Sequence, residues 1–584
     1  MLDLPSTKAI SAILPLPGTW TDRIDTVGER DTLRLNLQAG DRIGIDMTSE
    51  GLADPYLRVF DADGRLINYD DDSGGDMNAH LVLSAPRTGA YYVEAAAFDD
   101  AATGNYTITT QRLTRSGPLD ALTWGTALPS DNITIYFAPA GTRLDGVTSE
   151  GFTNFEQRQF KSALAGIEAV ADVRFTITTD PDADLRLVLD LNEMPGNYAA
   201  YFNPPDTFNA GIGVFDGNGW NRWNGGSLKQ GGLGYAIITH ELLHGLGLAH
   251  PHDTGGSSTV MDGVFWDMGD YGDVGLNQGI FTTMSYNAGY NTGQNTAPSS
   301  NLYGVEIGPM ALDIAVLQSI YGANNTHAAG HDTYWLPWGN QPGTGWQAIW
   351  DTGGKDTIRY DGWRDATIDL RAAHLDYAPG GGGYVSSAAG IRGGLTIANG
   401  VVIEKARGGT GDDLITGNEA ANRLWGNDGE DVLRGGRGAD QLHGGGGEDV
   451  LRGGRGADQL HGGGGEDVLR GGRGADILTG GGGADRFDFN TAGHSKPNHF
   501  DTIKDFQSGT DLLDLRDIDA DRTKAGNQAF ELIGLAQFND AGQLRMIMSD
   551  GDLYIEADRD GDGQADLSIR LLGTSYILSD DILL

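Results

Sequence analysis

The eighteen residues Gly435–Arg452, GGRGADQLHGGGGEDVLR, recur without a change as Gly453–Arg470. Each copy splits into two nonapeptides of the form GGxGxDxUx, with U apolar, and nine such units run unbroken from Gly408 to Asp488. A unit this short cannot bury its one apolar residue alone, so the units must stack, and the frame is that of a parallel β-roll. The eighth place, held by Ile415, Leu433, Leu442, Leu451, Leu460, Leu469, Leu478 and Phe487, should point inward. Two nonapeptides complete one coil, so residues eighteen apart should line the same edge. A plain glycine-rich linker would not keep an acid and an apolar residue in strict nine-residue phase.

The glycines allow a tight turn in which backbone carbonyls converge, and the sixth place adds a carboxylate: Asp413, Asp431, Asp440, Asp449, Asp458, Asp467, Asp476 and Asp485. Hard oxygen donors suit Ca²⁺. Turn by turn, the expected ligands are Gly408, Thr410, Gly411 and Asp413, then Gly426, Asp428 and Asp431, then Gly435, Arg437 and Asp440. Gly444, Gly446 and Asp449 follow, then Gly453, Arg455 and Asp458, then Gly462, Gly464 and Asp467, then Gly471, Arg473 and Asp476, and finally Asp485. Glycine and arginine would contribute main-chain carbonyls. Gly417–Trp425 leaves the frame, with Asn422 in the acid's place, and should bind calcium weakly or not at all.

Upstream lies Thr239-His-Glu-Leu-Leu-His-Gly-Leu-Gly-Leu-Ala-His-Pro251. On a helix His240 and His244 share one face, one turn apart, and can hold one ion together. Glu241 lies beside them and can reach a water on that ion. Gly247 permits a sharp exit from the helix, which brings His250 back as a third ligand. Three neutral nitrogens suit zinc and leave a fourth position open. HExxH alone is a moderate signal, because helix histidines are usually structural; the longer HExxHxxGxxH is far more restrictive. Leu233, Tyr235, Ala236, Ile237 and Ile238 supply apolar surface to bury the helix.

With 584 residues the chain should hold several domains. Its 40 basic and 81 acidic side chains leave a net charge of −41, which argues against nucleic acid or an anionic membrane as partner. The absence of cysteine excludes disulfides, thiolate metal sites and a thiol nucleophile. No apolar run reaches membrane-spanning length, and Met1–Trp20 lacks the basic and apolar regions of a secretory signal peptide.

In chain order, residues 1–15 read as a leader or propeptide. Short alternating runs within 16–112 (Thr32–Leu37, Arg42–Met47, Tyr56–Phe60, Leu81–Ser84, Tyr91–Ala95, Asn105–Thr110) predict an antiparallel sandwich. Asp54, Asp71 and Asp72 are turn acids that could hold calcium or simply face water. Leu113–Pro118 is a linker. Ile133–Phe137, Val173–Thr178, Leu185–Asp190 and Ala210–Phe215 read as strands, and the last could be a sheet edge over the zinc, open to an extended peptide. Phe155–Val170 is an amphipathic helix with Phe160, Ala163, Leu164, Ile167 and Val170 on one face. A second helix is expected over Gly308–Asn324. Gly353–Ile358 and Ala366–Leu370 lead into the roll. Near the end, Asp558–Asp566 is similar to an EF-hand loop without its twelfth-position glutamate, and reads equally as a calcium turn or a solvated loop.

Two resemblances sharpen this. Ala53–Leu57, Asp61–Gly64, Tyr69–Gly75 and Gly89–Val93 resemble the bacterial pre-peptidase C-terminal (PPC) domain, implying an accessory module beside a secreted protease. The HExxHxxGxxHP stretch with Met284-Ser285-Tyr286 resembles the serralysin family of metzincin zinc proteases over residues 118–584. That resemblance implies a methionine turn at Met284 beneath the zinc, Tyr286 as a further zinc ligand, catalysis by Glu241 and Tyr286, and peptide hydrolysis. The terminal Asp581-Ile-Leu-Leu584 implies delivery by a type I secretion apparatus to the extracellular medium. Leu243 and Gly245 depart from the family's usual Gly and Ala.

The fold class expected is multidomain α+β: a leader (1–15), a PPC-like β-sandwich (16–112), a metzincin α/β catalytic domain (113–325), and a calcium-binding parallel β-roll with its secretion region (326–584). The expected cofactors are one catalytic Zn²⁺ and several structural Ca²⁺. The expected partners are protein and peptide substrates, acted on by a monomer. The rival reading is a non-catalytic calcium-dependent adhesin.

Overall fold

In the first unit, alternate side chains of each strand turn inward: Leu33, Leu35 and Leu37 on Asp31–Leu37, Ile43, Ile45 and Met47 on Arg42–Glu50, and Tyr106 and Ile108 on Gly104–Arg112 are all buried. This period of two gives every strand one apolar face, and two sheets close those faces on each other. One sheet orders Gly18–Ile24, Gly104–Arg112, Arg42–Glu50 and Ala79–Ser84. The other orders Ala12–Ile13, Asp31–Leu37, Gly89–Ala97, Pro55–Phe60 and Leu66–Asp70. Ala12–Ile13 pairs parallel to Leu33 and Arg34, and Leu14 is buried in the sandwich core, so the sandwich takes in residues expected in the leader. The computed structural model describes residues 12–38, 41–62, 64–70, 78–85, 88–98, 102–113, 117–194, 198–293 and 300–584. The rest of the leader, Asp71, Asp72 and the middle of the linker lie outside them.

The second unit is a five-stranded sheet ordered Arg174–Thr178, Asn132–Phe137, Leu185–Asp190, Ile212–Asp216, Ala200–Phe202. The first four strands are parallel and the last is antiparallel. This corrects the expected edge: Ile212–Asp216 is interior, and the three-residue Ala200–Phe202 caps it. Helix α1 (Asn154–Val170) starts in a capping box between Thr153 and Glu156 and buries the predicted face, Phe160, Ala163, Leu164, Ile167 and Val170. Helix α2 (Leu233–Gly245) lies against it, with the Tyr235 hydroxyl 3.1 Å from Ser162 Oγ. Helix α3 (Ala311–Tyr321) is shorter than expected at both ends. Extended backbone at Met310 starts it, and Gly322 at φ +84° stops it.

The third unit is the roll. Strands from successive coils join two long sheets in strict register: Leu433 pairs with Leu451 and Leu451 with Leu469 in one, Leu424 with Leu442, Leu460 and then Leu478 in the other. Every eighth-place residue is fully buried. The stack extends beyond the repeats, because Thr357–Arg359 and Ala366–Asp369 lead into it and Asp501–Ile503, Leu512–Asp514, Leu567–Leu571 and Ile582–Leu583 continue it. No helix among the described residues is long and apolar enough to cross a membrane.

Candidate metal centre

Helix α2 presents His240 and His244 one turn apart. Gly247, at φ +98°, turns the chain under carbonyl 126, where a Cβ would overlap the oxygen, and so returns His250 to them. Each ring is held from behind. His240 Nδ1 lies 2.8 Å from the Thr283 carbonyl, His244 Nδ1 2.9 Å from the Leu248 carbonyl, and His250 Nδ1 2.6 Å from Asp253 Oδ2. Carbonyls and carboxylates only accept, so each Nδ1 donates, and in a neutral ring that leaves Nε2 with the lone pair. The three Nε2 atoms converge: His250 Nε2 is 3.1 Å from His240 Nε2 and 2.9 Å from His244 Nε2. Three imidazole nitrogens gathered this closely form a donor set that suits one cation of zinc's ligand preference. Burial and the neighbouring imidazoles push His240 down to about 3 and His244 well below the ordinary histidine range, which keeps both neutral.

Glu241 is buried, and its Oε2 has no hydrogen-bond partner. Desolvation pushes its carboxyl up to about 8. Tyr286 is partly exposed, with its ring centroid 5.8 Å from that of His240 and 4.8 Å from that of His250. Burial, then the Glu241 charge, raises its phenol to about 12. Met284 is fully buried. A cavity of about 360 Å³ opens beside these groups, with Leu233, Ala236, Ile237 and Ala288 on its walls.

Sequence reasoning missed the supports. Asp313, in the first turn of α3, accepts from Thr282 Oγ1 at 2.6 Å, from Thr283 N at 2.7 Å and from Met310 N at 2.8 Å. It therefore fixes Thr283, the residue whose carbonyl holds His240, from its N–H side. An acid three residues after the helix start was the one available signal. Asp253, behind His250, had none beyond its position two residues after Pro251. Gly245 has a reason too: a Cβ there would lie 2.6 Å from the Phe202 ring of the edge strand.

In the roll, the sixth-place aspartates stack along both edges. Asp449 Oδ1 accepts from Asp431 N at 2.8 Å and Asp458 Oδ1 from Asp440 N at 2.9 Å, eighteen residues away in each case. Their second oxygens are buried without partners at Asp431, Asp440, Asp449, Asp458, Asp467 and Asp476. At Asp431, Asp440, Asp449, Asp458 and Asp467 this oxygen lies beside the first glycine of its turn and near the carbonyl of the glycine eighteen residues on, as Asp440 Oδ2 lies by Gly435 and the Gly453 carbonyl. Hard oxygens, unpartnered and dry, fit Ca²⁺ in these turns. Asn422 keeps the stacking bond, accepting from Asn418 N and donating its own N–H to Asp440, but brings no charge. Asp332, Asp351 and Asp356 form a further acidic cluster where the roll begins, and Asp558, Asp560 and Asp562 another near its end.

A three-histidine cluster able to hold a metal ion on an α/β layer, joined to a parallel roll of acidic turns, is the class these features define. Residues 316–584 match the family model of the peptidase M10 serralysin C terminal, and residues 29–97 that of the bacterial pre-peptidase C-terminal domain. The chain is 30% identical to serralysin of Photorhabdus luminescens over 286 residues, 46% of this chain and 54% of that protein. It is 31% identical to metallopeptidase AprA of Pseudomonas marginalis over 303 residues, 46% of this chain and 56% of that one. Thus it spans about half the length of the curated relatives it matches. The pre-peptidase C-terminal domain of a Bacillus anthracis collagenase aligns at 16% identity over 18% of this chain and 99% of its own, with a TM-score of 0.15. The chain is thus similar to serralysins over about half of its length, and its N-terminal unit to the PPC domain.

Proposed function

We propose that the protein is a secreted zinc-dependent endopeptidase that hydrolyses peptide bonds in extracellular proteins. The observation that carries this reading is the convergence of three histidine Nε2 atoms beside a buried, unpartnered carboxylate oxygen. His240, His244 and His250 would hold the zinc, which when bound supplies Lewis acidity, making water a stronger acid and drawing charge from a carbonyl. Glu241 accepts the proton of the attacking water at Oε2 and passes it to the departing amine. Tyr286 donates a hydrogen bond to the carbonyl oxygen as charge develops there. An extended substrate adds as a further strand to the free edge of Ala200–Phe202, and one of its apolar side chains fills the cavity beside Leu233 and Ile237.

The unpartnered aspartate oxygens support the second half of the reading, that calcium folds the roll. Without it the carboxylates repel one another and the coils have little apolar area to offset chain entropy. Low calcium during type I export and millimolar calcium outside would then time folding to arrival.

Glu241→Gln tests the enzyme. The variant should retain zinc one-to-one and lose casein cleavage by a factor of at least about 10². A zinc-loaded wild type that leaves casein intact, or a variant that cleaves it at the wild-type rate, overturns the proposal.

A further inference from the structure

The two edges of the roll carry opposite charge. On one edge the turns read GGRGAD, with Arg437, Arg455 and Arg473 third and Ala439, Ala457 and Ala475 fifth. On the other, Glu430, Glu448 and Glu466 hold the fifth place, and Gly446 and Gly464 the third. A second column reinforces the first: Arg434, Arg452 and Arg470 point outward from the strands just before the arginine turns, in the places where the other sheet has Trp425 and the stacked His443 and His461. Register fixes the spacing. Arg434 pairs with Arg452 and Arg452 with Arg470, while Arg437 pairs with Arg455 and Arg455 with Arg473. Neighbouring guanidinium groups therefore leave the backbone one strand apart, on the order of 5 Å.

Stacked like charges cost stability, and the repeats had a remedy available, since a glutamate in the fifth place of the same turn would pair them. It stands instead on the opposite edge. Arg437 meets Glu419 at 2.8 Å, and Arg470 meets Asp488. Arg434, Arg452, Arg455 and Arg473 have no carboxylate within ion-pairing distance among the described residues, and all four are exposed. The nearest aspartates in sequence, Asp431 and Asp449 before Arg434 and Arg452, and Asp440, Asp458 and Asp476 after the turn arginines, are all buried. On a chain whose net charge of −41 repels polyanions overall, this double column is a local exception that solubility does not require.

We propose that this edge is a track for a linear acidic polysaccharide, with one carboxylate or sulfate per sugar meeting successive arginines. A guanidinium takes a carboxylate or sulfate in a planar, two-point fork, and a regular row of them favours a polymer of regular charge over a single small anion. Such polymers coat cells and matrices, so the track would hold the protein beside its surroundings. The proposal is independent of the zinc centre.

The test uses the full-length, calcium-loaded protein and polygalacturonate as probe, with binding measured by calorimetry at 50 and 500 mM NaCl. The wild type should bind at low salt and weaken at least tenfold at high salt. Arg434→Gln/Arg452→Gln should bind at least tenfold more weakly with its calcium-dependent circular dichroism unchanged, because the ninth place already holds Trp425, His443, His461 and Thr479 in other turns. Glu448→Gln/Glu466→Gln, on the other edge, should bind at least as tightly as the wild type. The proposal is overturned if the wild type does not bind at low salt, if the arginine variant binds as tightly, or if single-stranded DNA or anionic phospholipid vesicles bind more tightly than the polyuronate.

Discussion

Three adjacent glycines in one roll turn should respond to the same substitution in opposite ways. Gly465 sits at φ +137°, and a Cβ on it would overlap the Gly447 carbonyl of the neighbouring coil, lying 2.6 Å from its carbon. Gly463, at φ +124°, meets the Gly445 carbonyl in the same way. Gly464, between them, has open space where its Cβ would go, and Arg437, Arg455 and Arg473 fill the equivalent place in alternate turns. For Gly465→Ala, the left-handed backbone costs about 1–3 kcal/mol. Relieving the overlap forces coils apart and weakens two ladder bonds, Gly447 N to Gly464 O and Gly465 N to Gly482 O, each 2.8 Å long. At about 1 kcal/mol per bond the total is about 3–5 kcal/mol. Gly464→Ala removes only freedom of the unfolded chain and should stabilise by up to about 1 kcal/mol. Calcium titration followed by far-ultraviolet circular dichroism reads both. Gly465→Ala should need at least tenfold more calcium to gain its β-signal, and Gly464→Ala no more than the wild type. Equal shifts for the two variants, or a silent Gly465→Ala, would refute the stacking argument.

Further outcomes follow from the same geometry. Chelating calcium from the intact protein should abolish much of the β-signal, and restoring it should bring the signal back; an unchanged spectrum would count against metal-coupled folding. Burial holds the Glu306 carboxyl up at about 7 against an ordinary 4.5, so the fold is favoured below pH 4.5 and loses that contribution as pH climbs to about 7. The loss is on the order of 3 kcal/mol. In Glu306→Gln that component should vanish, and the melting-temperature gap between wild type and variant should move with pH across this window, then level off; a constant gap would show that Glu306 does not titrate. Gly245→Val should press on Phe202 and displace the Ala200–Phe202 edge, lowering kcat/KM for casein by roughly tenfold with zinc retained; wild-type kinetics would mean that the edge does not position substrate.

Legibility differed between the parts for physical reasons. The roll could be read almost residue by residue, since each coil repeats one local rule and touches only its neighbours. The three histidines were equally plain, because a helix turn and one glycine suffice to gather them. Ala200–Phe202 was not: it is three residues long, shows no alternation, and becomes the edge only through pairing with Ile212–Asp216. Asp313 and Asp253 escaped because they act through someone else's peptide or ring, across distances no spacing encodes. The sandwich was visible as strands, but the pairing of Ala12–Ile13 with Leu33 and Arg34 was hidden in a stretch that looked like a leader.

The identity of Gly435–Arg452 with Gly453–Arg470 has a consequence for heredity as well as for folding. Arg434 is followed by the same eighteen residues whichever copy comes next, so deleting or doubling one copy rejoins the chain at a junction it already contains. Every carbonyl, carboxylate and leucine at that junction meets the partner it would have met anyway. Roll length can therefore drift by whole rungs between generations while both ends stay intact, like a ladder that gains or loses a step without being rebuilt.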